Sequence, residues 1–174
     1  KQEGEPVARG FLEVFGGPPF GKNGSGRLEL AERTLRPENT LKTRGLINRL
    51  WAYVFGRGIS ASTDNLGRLG SPPTHPELLD HLALDFERSG WSIKRALRQM
   101  VMSRAFRSSG QADAETRERD PQNELLSHFT PRRLDAEAIY DSLAFVAGGG
   151  QRAVYLPVIR NQLDPFLATF NAPV

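Results

Sequence analysis

Between Thr40 and Phe55 the apolar residues Ile47, Leu50, Trp51, Val54 and Phe55 fall at i, i+3, i+4, i+7 and i+8. That period closes into a single face only on an α-helix, and the face must be covered by something. Gly56 and Gly58 follow as a left-handed exit. Leu78, Leu79, Leu82, Ala83 and Phe86 form a second such stripe ahead of Gly90. Ser92 caps a third, carried by Ile93, Ala96, Leu97, Met100 and Val101. Three stripes of one period predict a mainly α fold: an irregular multi-helix bundle with long loops and at most one or two short β-strands. The 174 residues, 39% of them hydrophobic, suffice for one core.

The punctuation between stripes predicts three segments. Residues 1–26 read as an extended arm with a Gly/Pro-rich loop, in which Phe11–Phe15 is strand-like. Residues 27–150 read as the helical core domain. Ser25 is placed to cap its first helix, which runs to about Arg36 with Leu28, Ala31 and Leu35 on one side, and Pro37 stops it. On the helix after Thr40, Asn48, Arg49 and Tyr53 fall opposite the apolar face. Residues 59–73 show no helical period and read as a loop. Thr74-His75-Pro76-Glu77 fits a capping box, with the Thr74 hydroxyl accepting from the Glu77 amide and the Glu77 carboxylate reaching back. Continuing the third helix would bury Arg104, so it should end near Ser103 unless Arg104 is paired. Residues 108–119 are polar enough to be disordered. Asp120-Pro121 should open a short helix, and Thr130, followed by Pro131, should cap a longer one reaching Gly148. Residues 151–174 read as a C-terminal extension packed on the core, with Val154–Val158 at most an edge strand and Asp164-Pro165 starting a last helical turn.

Absences narrow the function. Without cysteine there is no disulfide, thiolate zinc site, iron–sulfur cluster or covalently attached haem in these residues. No apolar run approaches the twenty residues of a membrane span, and the opening residues lack the apolar stretch of a secretory signal. Twenty-three Lys+Arg against twenty Asp+Glu leave +3. Lys94, Arg95 and Arg98 share a helix face but carry no interleaved aromatic platform, so no nucleic-acid partner is expected. Gly16–Asn23 has phosphate-loop spacing up to Lys22, yet Pro18 and Pro19 remove two amide donors and Asn23 replaces the magnesium-binding hydroxyl. Of the three histidines His75, His81 and His128, only His81 has a helical neighbour of metal-binding type, Asp85, and no third ligand is visible; no cofactor is expected. There is no nucleophile elbow.

One position is anomalous. On a helix opening at Pro131, Leu134, Ala138, Ile139, Leu143, Phe145 and Val146 make an apolar arc, and Asp135 and Ser142 project into it. A carboxylate there needs a partner, and Arg49 and Arg104 are the candidates for a structural ion pair with Asp135. The sharper alternative is a general acid or base in a cleft. Arg133, Glu137 and Asp141 read as a solvated ladder.

Several segments together resemble a known family: Gly26-Arg27-Leu28-Glu29-Leu30-Ala31, Asn48-Arg49-Leu50-Trp51 running into Phe55-Gly56-Arg57-Gly58, and Asp64-Asn65-Leu66-Gly67 leading to Pro72–Asp80. The likeness continues through Gly90-Trp91-Ser92-Ile93-Lys94, Asp120-Pro121-Gln122-Asn123, Arg132–Ile139 and Tyr155-Leu156-Pro157-Val158. The chain resembles the planctomycete-type domain of unknown function 1553. That resemblance implies a C-terminal part of a large exported bacterial protein, behind a second domain of unknown function and often a cytochrome-c-like segment. It implies no catalytic residues. It also implies that the chain begins inside the usual protein and stops before a further C-terminal portion.

The expectation is therefore a non-catalytic helical module, in the periplasmic or otherwise exported setting that the resemblance alone implies, which docks or orients neighbouring domains, a c-type cytochrome segment among them. A surface carrying an apolar patch is its signature. The alternative is a polysaccharide-directed hydrolase or binding domain using paired carboxylates drawn from Asp64, Asp80, Asp85 and Asp135, or an aromatic platform at Trp51 or Trp91.

Overall fold

A computed structural model describes residues 4, 8–21, 24–157, 159, 162 and 164–170. The fold is mainly α. In chain order the helices are α1 (Arg27–Leu35), α2 (Leu41–Phe55), α3 (Pro76–Arg88), α4 (Ile93–Met102), α5 (Ala114–Arg119), α6 (Ala136–Val146) and α7 (Pro165–Thr169). Among the described residues there is no strand, only an isolated bridge between Ile159 and Gln162. Phe11–Phe15 is not extended: Glu13–Phe15 makes a 3₁₀ turn closed by the Gly16 amide on the Glu13 carbonyl. Ala153–Tyr155 makes another. Lys22, Asn23 and Val158 lie outside the described residues, and with them the end of the phosphate-loop spacing and of the strand-like 154–158 run.

Two compact units divide the chain at Thr130/Pro131, and α6 falls in the second. The first unit is built on α2, α3 and α4. Ile47 and Trp51 from α2, Leu79, Leu82 and Phe86 from α3, and Ala96 and Met100 from α4 form one buried cluster, with Leu50, Val54 and Phe55 packed against it. These belong to the three stripes of the sequence, but Ile93 and Val101, expected inward on the third, are exposed, and only Ala96 and Met100 of that stripe are fully buried. Completely burying a side chain of this size contributes about 1.5–3 kcal/mol, so the cluster dominates the unit's stability. Ser92 caps α4 by accepting from the Arg95 amide, and the helix ends at Met102 with Arg104 exposed beyond it.

Where α3 turns into α4, Gly90 and Trp91 both take positive φ, 74° and 61°. A bulky residue in that region is strained. Trp91 is held there by edge packing on Phe86 and by the Lys42 ammonium over its ring. Lys42 is itself fixed by the Arg36 carbonyl at 2.7 Å and the Glu87 carboxylate at 3.2 Å.

The loop 59–73 is fastened by a residue expected to face solvent. Asn48 is completely buried. Its amide nitrogen donates to the Ser60 carbonyl and its oxygen accepts from the Ser60 amide, both at 2.9 Å, as a strand neighbour would. A Cβ on Gly58 would stand 2.4 Å from the Ser60 carbonyl oxygen, so this close approach requires glycine.

Helix starts differ from the capping expectations. His75, not Thr74, is the N-cap of α3. Thr74 lies one residue too early to cap, and its amide and hydroxyl both donate to the Ile59 carbonyl instead. Glu77 stays in the first turn, exposed, where its charge suits the helix dipole. Residues 108–119 are not a featureless loop: Asp113 accepts from the Thr116 amide and starts α5. Asp120 does not begin a helix. Its buried carboxylate accepts from the Glu124 and Leu125 amides, both at 2.8 Å, and folds 120–126 into turns. Thr130 caps no helix either; its hydroxyl oxygen accepts from Asn123, and α6 opens six residues later.

In the second unit the buried pair is Ala136 from α6 and Leu167 from α7, with Tyr140, Leu156, Phe166 and Phe170 against them. Because α6 starts at Ala136, its packed face runs through Ala136 and Tyr140 rather than along the expected arc, and Leu143, Phe145 and Val146 are exposed. Arg133 lies ahead of the helix, so no i+4 ladder forms. Asp141 instead takes the Ala153 amide at 2.7 Å and Arg152 at 3.0 Å. Those contacts, the amide first, hold its carboxyl below the ordinary value of 3.8.

Candidate functional site

The expected ion pair loses its premise. Asp135 is the exposed N-cap of α6, at the head of the second unit, and not a charge inside an apolar arc. Arg49 and Arg104 belong to the first unit and are exposed; the Arg49 Nε donates weakly to the Thr63 carbonyl at 3.4 Å. A water-facing carboxylate needs no buried partner. The misplaced helix start produced the anomaly. Ser142, the other intruder, returns its hydroxyl to the Ala138 carbonyl.

The acids of the hydrolase alternative are placed separately. Asp80 lies 2.9 Å from Arg44 and Asp85 3.5 Å from Arg95. Asp64 is exposed on the 59–73 loop. Trp51 is buried against Phe55, with ring centroids 4.0 Å apart, and offers no open platform. Trp91 is 38% exposed, but Lys42 covers one face. No group of three histidine, aspartate or glutamate side chains converges on a metal position among the described residues.

Two features of the first unit stand out instead. The first is α1, whose burial is reversed. Its buried side chain is Arg33, at 9% exposure, while Leu28 and Leu35 are 69% and 64% exposed. The Arg33 guanidinium donates to the Gly16 carbonyl at 3.0 Å and the Pro18 carbonyl at 2.9 Å, and stands over the Phe20 ring. The Gly/Pro loop has few amides to satisfy its own carbonyls, so an arginine fork fits it. That anchor sets the rotation of α1 about its axis. Leu28, Ala31 and Leu35, opposite Arg33 on the helix, therefore face outward.

The second is a cleft of about 50 Å³ beside the end of α2. Trp51, Phe55, Ile59 and Leu126 supply its apolar lining, and Thr74, His75, Asn123 and His128 much of its polar lining. Asn123 organises one wall. Its amide nitrogen donates to the His128 carbonyl at 2.6 Å and its oxygen accepts from the Ser127 hydroxyl at 3.1 Å. Both Asn123 and Leu126 take positive φ, 50° and 56°, and such strain concentrates at functional positions. Arg57 lines the cleft as well, donating to Gln122 at 3.0 Å and Glu124 at 2.9 Å, which line it too. The cleft admits water or a small ion, not a polymer strand. Arg104, with Arg107, lines an adjoining open groove that shares Ala105 and Leu126 with it.

The sequence singled out His75 and His128 without bringing them together. Fifty-odd residues separate them, and only the turns after Asp120 close the distance. The Asp120-Pro121-Gln122-Asn123 segment was the available signal, since an acid and an amide three apart around proline favour a side-chain-stapled turn.

Residues 26–151 match the family described as PSD1, protein of unknown function (DUF1553). The chain belongs to the DUF1553 family. The match spans all of α1 to α6, so both the reversed helix and the cleft lie inside the DUF1553 region. No curated protein and no solved structure matches the chain.

Proposed function

We propose that this DUF1553 chain is a non-catalytic docking module that holds or orients neighbouring domains of a larger exported bacterial protein, with α1 as its contact. The observation that carries this reading is the reversed burial of α1. Two leucines about two-thirds exposed on one helix face forgo about 1–2 kcal/mol each that a partner surface would supply. The helix does not recover that energy by rolling inward, because Arg33 is anchored to the Gly16 and Pro18 carbonyls. An outward apolar face fixed by a polar anchor is what a domain with a permanent neighbour requires.

The test uses the chain and the segments that flank it in its parent polypeptide, expressed as separate pieces and mixed. Co-elution is expected for the unaltered chain and is expected to be lost in a Leu28→Glu/Leu35→Glu variant whose circular dichroism and melting are unchanged. Co-elution that survives both substitutions overturns the reading. Where the neighbour is a c-type cytochrome segment held by charge, association weakens steeply with salt; the α1 contact is apolar and predicts little salt dependence. The polysaccharide-directed hydrolase or binding domain draws less support, since Asp80 and Asp85 are each engaged by an arginine.

A further inference from the structure

The contacts around the two cleft histidines are all satisfied together by one tautomer only. Thr74 has a single hydroxyl proton, and it goes to the Ile59 carbonyl. The 3.0 Å contact between the Thr74 hydroxyl oxygen and His75 Nδ1 therefore needs its proton from the ring. His128 repeats the arrangement. The Asn123 amide nitrogen faces the His128 carbonyl, so its oxygen faces Ser127 and takes the Ser127 proton. The 3.1 Å contact between the Ser127 oxygen and His128 Nδ1 again draws its proton from the ring. In that tautomer both imidazoles donate at Nδ1 and carry a bare lone pair at Nε2, and neither Nε2 meets a hydrogen-bond partner among the described residues. Both rings are half-buried and line the same small cleft.

A neutral imidazole whose Nδ1–H is tied down and whose Nε2 is free has the form of a metal ligand with its supporting shell in place. Two of them, reaching one cleft from separate loops, go beyond a docking role. We propose that His75 and His128 together bind one transition-metal ion of the class that prefers imidazole, such as Zn²⁺ or Cu²⁺, through their Nε2 atoms. Among the described residues no third histidine or carboxylate completes the set, and Glu124 is engaged by Arg57. Water fills the remaining positions, which makes the ion exchangeable rather than structural.

Titration of the intact chain with zinc chloride, and separately with copper sulfate, against a competing chelator tests this. One ion per chain is expected. His75→Gln and His128→Gln are each expected to weaken binding by roughly tenfold or more, and Ser127→Ala, which releases the His128 tautomer, by about tenfold. His81→Gln, on an exposed part of α3, should change nothing. An affinity in the His75→Gln or the His128→Gln protein equal to that of the unaltered chain, or binding that follows His81, overturns the proposal. Nitrogen-15 spectra of the metal-free, unaltered chain give a readout independent of any variant's folding. Both rings should carry the proton on Nδ1, and an Nε2–H tautomer at either position equally overturns it. The α1 surface is not involved, so loss of docking and loss of metal binding are separable.

Discussion

α1 and α3 are both written as amphipathic helices, and the molecule uses them in opposite ways. α3 turns Leu79, Leu82, Ala83 and Phe86 inward, where α2 and α4 cover them. α1 turns Arg33 inward and leaves Leu28 and Leu35 in water. Periodicity reveals that a helix has two faces; which face is buried depends on what the rest of the chain offers. α3 meets apolar neighbours. α1 meets a Gly/Pro loop whose free carbonyls select a guanidinium, and the leucines are left for an outside surface.

That contrast can be broken at several points. The largest effect belongs to Phe86→Ala, which empties the centre of the cluster; it should cost about 3–5 kcal/mol in urea or thermal unfolding of the first unit. Arg33→Ala should cost about 1–3 kcal/mol, because the Gly16 and Pro18 carbonyls lose a charged donor, and the same unfolding measurement checks it. If it costs nothing, the anchor does not set the rotation of α1. Leu28→Glu with Leu35→Glu should change stability by no more than about 0.5 kcal/mol while lowering retention on a hydrophobic column. A large loss would mean that those leucines are packed in solution.

The smallest effect sharpens the comparison in the second unit, where α6 is likewise fastened by polar contacts. Asp141 has its carboxyl lowered by the Ala153 amide and by Arg152. A group whose folded-state value lies below its unfolded one stabilises above the unfolded value and loses that stabilisation as pH falls through the folded one. The Ala153 amide resonance should therefore move only below the ordinary carboxylate range near 3.8, and Asp141→Asn should abolish the transition.

How much was legible follows the same division. The stripes of α2, α3 and α4 were readable, and so was the end of α4 ahead of Arg104, because each depends on residues three or four apart. Asn48 was misread as solvent-facing: its partners at Ser60 lie twelve residues on, and an asparagine that substitutes for a strand neighbour leaves no period behind. Thr74, Glu77 and Thr130 had the right residue types for caps, but α3 and α6 start later, so Thr74 straps a loop and Thr130 serves Asn123. The late start of α6 also removed the reason for pairing Asp135 with Arg49 or Arg104. The cleft was invisible, since His75 and His128 meet only through turns built by Asp120 and Asn123.

The amino-acid order alone determined that this protein is helical, where its three central helices lie and which apolar face each turns to the core, since a 3.6-residue period is a local property with one geometric solution. Tertiary structure decided which face of α1 turns inward, where α6 begins and which histidines share a cleft. Those outcomes depend on carbonyls, amides and hydroxyls from distant segments competing for a few donors and acceptors, and that competition is settled only once the chain has closed on itself.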